Sequence, residues 1–169
     1  MTPIDKSKWP RGPWDSEPDQ RFWLTKAGLH AWVRRHPEWG HLCGYVEVPV
    51  EVNEDWNRKQ DEEQGPWTPD IDMHGGVSWS GPTENWAPEY RPEYDCWWWG
   101  FDCNHAWDIA PGLAARLPAY FDTFGESEYR TFAYAVAECE KAALQLRDWQ
   151  LRLEMKSLGL SIDIPSHLR

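Results

Sequence analysis

The chain has 169 residues, enough for one domain with a real core and too few for two comfortable ones. Its formal charge of -11 argues against nonspecific nucleic-acid binding, which depends on Lys and Arg neutralising phosphates, and against attachment to an anionic membrane. Apolar residues make up 41% of the chain and Trp occurs 14 times, so large aromatic faces are available for a core and for a pocket wall.

Residues 1–22 hold Pro3, Pro10, Pro13 and Pro18 without apolar periodicity, and read as a Pro/Trp-rich arm preceding a single domain over 23–169. No apolar core of a signal peptide follows Met1, and no run approaches about 18 apolar residues, so the expectation is a soluble cytoplasmic protein. In 30–50, Ala31 and Val33 share one face of an extended segment. After the turn HPEWG, Leu42, Gly44, Val46 and Val48 share one face of a second, with Cys43, Tyr45 and Glu47 on the other. An antiparallel hairpin follows. The acidic run 51–64 also contains Arg58 and Lys59 and reads as a solvated face, over roughly 53–64 as a short helix, rather than a nucleic-acid mimic.

Strand-type residues flank Gly75-Gly76 in IDMHGGVSWS (71–80), where a glycine pair marks a bulge, a bend or a close approach to the backbone. Residues 81–95 are too rich in proline for a helix, and CWWWGF (96–101) reads as a buried strand. From about Glu126 to Lys156, apolar residues such as Phe132, Cys139, Ala143 and Leu146 recur at helical spacing, with Ser127 as N-cap and SLGLS as the stop. The fold class expected is therefore α+β, a mostly antiparallel sheet packed against one long C-terminal helix. That helix is also the expected surface of any homo-oligomer.

Two segments concentrate reactive groups. The first carries His74, Gly75, Gly76, Ser78 and Ser80, with 74, 78 and 80 on one face of an extended chain. The second carries Asp102, His105 and Asp108 at the end of the WWW strand, where a rigidly held side chain still reaches solvent. If the segments meet, His74, Ser78, Asp102, His105 and Asp108 line a pocket walled by Trp98 or Trp99. A carboxylate orienting a His serves either proton transfer or metal binding. His74, Asp102, His105 and Asp108 are the candidate catalytic residues and also the candidate ligands of a divalent metal such as Zn, Mn or Fe, although no HExxH-type motif is present. Ser78 lacks a nucleophile elbow. In the plainer alternative, the His–Asp pairs only satisfy buried hydrogen bonds. His30, His36, His41 and His167 read as surface or turn residues. The four cysteines have no metal-site spacing; Cys96 and Cys103 are the pair a disulfide would use, though nothing requires one.

HLCGYVEVP, DIDMHGGVSWSG, WWWGFDCNHAWD and YRTFAYAVAECEKAALQL together resemble a family of small uncharacterised proteins of bacteriophages and prophages. The resemblance spans about 23–148. It singles out His41, Cys43, Gly44 and Tyr45, then His74, Gly75, Gly76, Ser78 and Ser80, then Trp97, Trp98, Gly100, Phe101, Asp102, His105 and Asp108. The chain departs from the family pattern after Pro49 and at Trp107, which bears on the pocket rim more than its floor. The resemblance implies a phage or prophage accessory role in the host cytoplasm, such as countering a host-defence nucleotide messenger. The expected function is binding of a small nucleotide-like ligand, with indole faces stacking a base and the Gly75-Gly76 N–H groups holding a phosphate oxygen. Two alternatives stand beside it: an enzyme cleaving such a ligand, such as a metal-dependent hydrolase or phosphodiesterase, and a protein-binding inhibitor using the Trp-rich arm and the acidic surface.

Overall fold

A computed structural model describes residues 4–49, 71–86, 95–117 and 127–160; the acidic run expected as a short helix lies outside them. Five strands, β1 (Gln20–Leu24), β2 (His30–Arg35), β3 (Leu42–Val48), β4 (Trp79–Pro82) and β5 (Trp97–Asp102), form one antiparallel sheet in the order β1-β2-β3-β5-β4. A short helix α1 (Pro111–Arg116) follows, then the long helix α2 (Phe132–Ser157). The expected α+β class and the 30–50 hairpin are both present. No helix among the described residues is long and apolar enough to cross a membrane, and all four cysteines are free thiols.

The strict alternation of β2 and β3 gives the sheet two different faces. One presents Ala31, Val33, Leu42, Val46, Val48, Trp99 and Phe101 to α2, which buries Ala135, Cys139, Ala142, Ala143 and Leu146 against them. Four of these helix residues, Ala135, Cys139, Ala142 and Ala143, are small, and Gly44 faces the helix. A Cβ on Gly44 would overlap the Phe101 ring and lie 2.8 Å from Cys139 Sγ. Small side chains on both elements thus set how closely the helix approaches. The opposite face carries Trp32 and Trp98, covered by Trp86, with Tyr45 and Trp79 packed around them. Trp32 and Trp86 stack with centroids 4.5 Å apart.

Two expectations change. The Gly75-Gly76 segment is not extended on both sides. Gly76 N–H closes a turn on Met73 O at 2.9 Å, both glycines take left-handed φ (66° and 84°), and the strand begins only at Trp79. The long helix starts at Phe132 with Thr131 as its cap, Tyr134 N–H donating to Thr131 Oγ1 at 3.1 Å, rather than near Glu126 with Ser127. Residues ahead of it are held extended because Ile109 N–H donates to Glu128 O and Glu128 N–H to Trp107 O. Its end is as expected: Gly159, at φ 71°, allows Leu160 N–H to reach Met155 O at 2.9 Å.

The described part of the arm is built into the body. Residues 20–24, which overlap its end, form β1, and Trp14 is buried edge-on against Tyr129 at 4.9 Å. The anchor is Arg35, whose guanidinium is fully buried. It donates to Asp19 Oδ1 and Glu17 Oε2, each at 2.9 Å, to Gly40 O at 3.0 Å and to Tyr129 Oη at 2.8 Å. Glu17 Oε1 in turn accepts from Phe132 N–H at 3.0 Å, so the arm helps cap α2. Arg35→Met should therefore lower unfolding stability by about 2–3 kcal/mol, since two partly buried carboxylates lose their cation. Gly44→Ala should cost about 1–3 kcal/mol through overpacking. Urea denaturation checks both, and an unchanged midpoint for Gly44→Ala would mean that the helix can move away from the sheet.

Candidate functional site

Where β3 begins and β5 ends, the face opposite α2 opens into a cavity of about 330 Å³. The pairing register builds its floor: Cys43 lies opposite Asp102, and both Tyr45 and Trp79 lie opposite Gly100. With no side chain at Gly100, the Tyr45 ring occupies the space a Cβ there would take, and Trp79 meets it edge-on at 5.5 Å. Asp102 Oδ2 accepts from Ser78 Oγ–H at 2.9 Å, and Oδ1 accepts from Asn104 N–H at 3.1 Å.

The opposite wall is the β2–β3 turn. His36 N–H donates to His41 O at 2.8 Å, and His36 Nδ1 accepts from Trp39 N–H at 3.1 Å. Gly40 supplies the left-handed residue at φ 80°. Gly112 N–H of α1 braces the turn from outside by donating to Trp39 O at 2.8 Å. This rigid turn sets His36, Trp39 and His41 into the cavity wall, the two imidazoles stacked 4.9 Å apart. His41 is only 6% exposed, and its Nδ1 has no hydrogen-bond partner among the described residues. Burial, reinforced by neighbouring His36, pushes its pKa down to about 4, so the ring is neutral near pH 7. His36 is also lowered, by burial and then by the charge of Arg34. Burial, with Asp102 nearby, raises the Cys43 thiol to about 12, which makes it a wall and not a nucleophile.

A second polar cluster lies beyond Asn104. The Asp108 side chain is fully buried; its Oδ2 lies 2.7 Å from His74 Nε2, 3.0 Å from His105 Nδ1 and 3.1 Å from His105 N, and its Oδ1 accepts from Arg130 Nε at 2.9 Å. Burial alone would raise the Asp108 pKa, but the hydrogen bonds from His74, Arg130 and His105 outweigh it and hold the carboxyl below its ordinary range. An ionised carboxylate only accepts, so His74 carries its proton on Nε2 and His105 on Nδ1. Tyr134 Oη lies 2.9 Å from His74 Nδ1, within hydrogen-bond distance. A Cβ on Gly75 would overlap the His105 ring, so the glycine pair does mark a close approach, that of a side chain of the same protein. Trp107 stacks on the other side of His105 at 5.1 Å.

The structure divides the expected pocket. His74, His105 and Asp108 meet at one cluster, while Ser78 and Asp102 belong to the cavity. Ser78 and Ser80 do not share a face: Ser80 Oγ accepts from Trp97 Nε1 at 2.8 Å on the helix side. Gly76 N–H is committed to its turn. Trp98 and Trp99 are not walls, because both are fully buried, Trp98 among the aromatic residues and Trp99 beneath α2 against Trp149. The cavity instead takes its aromatic surface from Trp39, Tyr45 and Trp79. His41, read from its own residues as a turn or surface position, is part of the buried wall. Its signal is alternation, since 41, 43 and 45 are spaced to share the non-helix face.

No protein-family model matches the chain, and neither a curated protein nor a solved structure matches it significantly.

Neutral His41 couples stability to pH. Between the ordinary histidine pKa of 6.5 and about 4, the unfolded chain holds the His41 proton and the folded chain does not. Stability contributed by this group is thus complete above pH 6.5 and falls as acid approaches pH 4, by on the order of 3 kcal/mol at about 1.4 kcal/mol per unit. Urea unfolding across this window should show a shallower acid loss for His41→Gln than for wild type; parallel curves would mean that His41 is protonated in the folded protein.

Proposed function

We propose that the protein binds a small nucleotide-like ligand in the cavity between the β2–β3 turn and Asp102, as an accessory protein of a phage or prophage acting in the host cytoplasm. The observation that carries the reading is His41 Nδ1, a buried polar atom without a partner among the described residues, in the wall of a ligand-sized space. Leaving such an atom unmet costs about 1–3 kcal/mol, which a bound hydrogen-bonding group would recover.

The rest of the wall suits a base joined to a polar group. Trp39, Tyr45 and Trp79 offer stacking faces, Asp102 can accept from a hydroxyl or amine, and Arg34 stands on the same sheet face, across from Cys43. The viral setting, and a host-defence messenger as ligand, follow from the motif resemblance. Cleavage is the second reading: Asp108 orients His105 through Nδ1, the arrangement of a general base, but in the cluster beyond Asn104, so cleavage would require a ligand that extends from the cavity past Asn104. A surface-binding inhibitor has less support, because Trp14 of the arm is buried.

The protein incubated with linear and cyclic nucleotides, washed and denatured should release about one intact nucleotide per chain by mass spectrometry. Trp79→Leu should weaken retention about tenfold or more, since a base–aromatic stack is worth about 1–3 kcal/mol. Product exceeding one per chain would favour cleavage. No retained nucleotide, with no shift in melting temperature for any member of the panel, would refute both.

A further inference from the structure

We propose that His74, His105 and Asp108 form a binding site for one divalent transition-metal ion, of which Zn²⁺ suits the ligand set best. The site is separate from the nucleotide-like cavity, and the inference does not depend on that cavity being filled.

The first argument is geometric. His74 Nε2, His105 Nδ1 and Asp108 Oδ2 converge within 4.8 Å of one another, with two edges of the triangle at 2.7 Å and 3.0 Å. Ligand atoms about 2.0 Å from a tetrahedral zinc lie about 3.3 Å apart, so small side-chain movements would admit the ion. Two imidazoles and one carboxylate are a recurrent set for Zn²⁺ and leave a fourth position for water or a further ligand.

The second argument is crowding without the ion. One carboxylate oxygen, Oδ2, faces three N–H groups: His74 Nε2–H, His105 Nδ1–H and the His105 backbone N–H. An oxygen with about two lone-pair sites serves three donors poorly. With the ring protons on the other nitrogens, Nδ1 of His74 and Nε2 of His105, a metal ion would take the lone pairs of His74 Nε2 and His105 Nδ1 and leave the backbone N–H on Oδ2.

The third argument is the surrounding support. A metal-bound imidazole usually hydrogen-bonds through its other nitrogen, and His74 Nδ1 has Tyr134 Oη at 2.9 Å. Arg130 takes Asp108 Oδ1 and leaves Oδ2 as the ligand atom, while its own charge is offset by Glu128 Oε2 at 2.6 Å. His105 is 23% exposed in its side chain, which gives an ion a way in, and Gly75 and Trp107 clamp its ring.

Chelator-treated protein titrated calorimetrically with Zn²⁺ should take up one ion per chain, and His105→Ala should reduce affinity at least about tenfold. Zinc X-ray absorption on the loaded wild type should show a nitrogen/oxygen shell with two imidazoles, a readout that needs no variant. The inference is overturned if wild type binds no Zn²⁺, if folded His105→Ala binds it equally well, or if sulfur or fewer than two imidazoles appear in the shell.

Discussion

The structure turns on one buried carboxylate. Asp108 joins three segments distant in sequence: the turn bearing His74, the loop after β5 bearing His105, and the approach to α2 bearing Arg130. A charge in that position is tolerable only because each oxygen is met by donors. The consequence reaches past the cluster. The loop it fixes continues into Pro111–Arg116, and Gly112 of that helix braces the β2–β3 turn that walls the cavity. Position in the cavity wall is therefore inherited, step by step, from the polar cluster on the other side of Asn104.

The sheet supplies the second constraint. One face is sealed by a helix of small residues over Gly44 and Phe101, and the other by tryptophans stacked on one another. Large rings fill the second face with few residues, and at the β5 end they give way to Cys43, Asp102 and His41. That change from indole to polar groups makes the cavity. It also explains how a chain with so many tryptophans keeps only some of their faces at the site.

Much of this was legible before any coordinates. Alternation in 31–48 assigned both strands and both faces, and helical spacing found α2 and its glycine stop. What local pattern lacked was long-range pairing. Ser127 looks like a cap, but Glu128 is paired with the strand-like segment 107–109, so the helix begins later. Nothing in the local pattern marks Arg35, and only the fold reveals that it is buried against Glu17 and Asp19 and ties down the arm. Spacing grouped Asp102, His105 and Asp108, and His74 joined them only on the condition that the two segments meet. It could not tell that Asp102 turns to the opposite face with Ser78, because one residue of register decides that in a strand. Trp98 and Trp99 illustrate the same point: adjacent rings, opposite faces, both buried.

The most direct measurement is the ¹⁵N spectrum of the histidine side chains, recorded with and without the nucleotides that the protein retains. A ligand in the cavity predicts that the His41 Nδ1 resonance moves on binding, as its missing hydrogen bond is made, while the His74 ring signals stay in place. Retention of nucleotide with an unmoved His41 would contradict the cavity as the site.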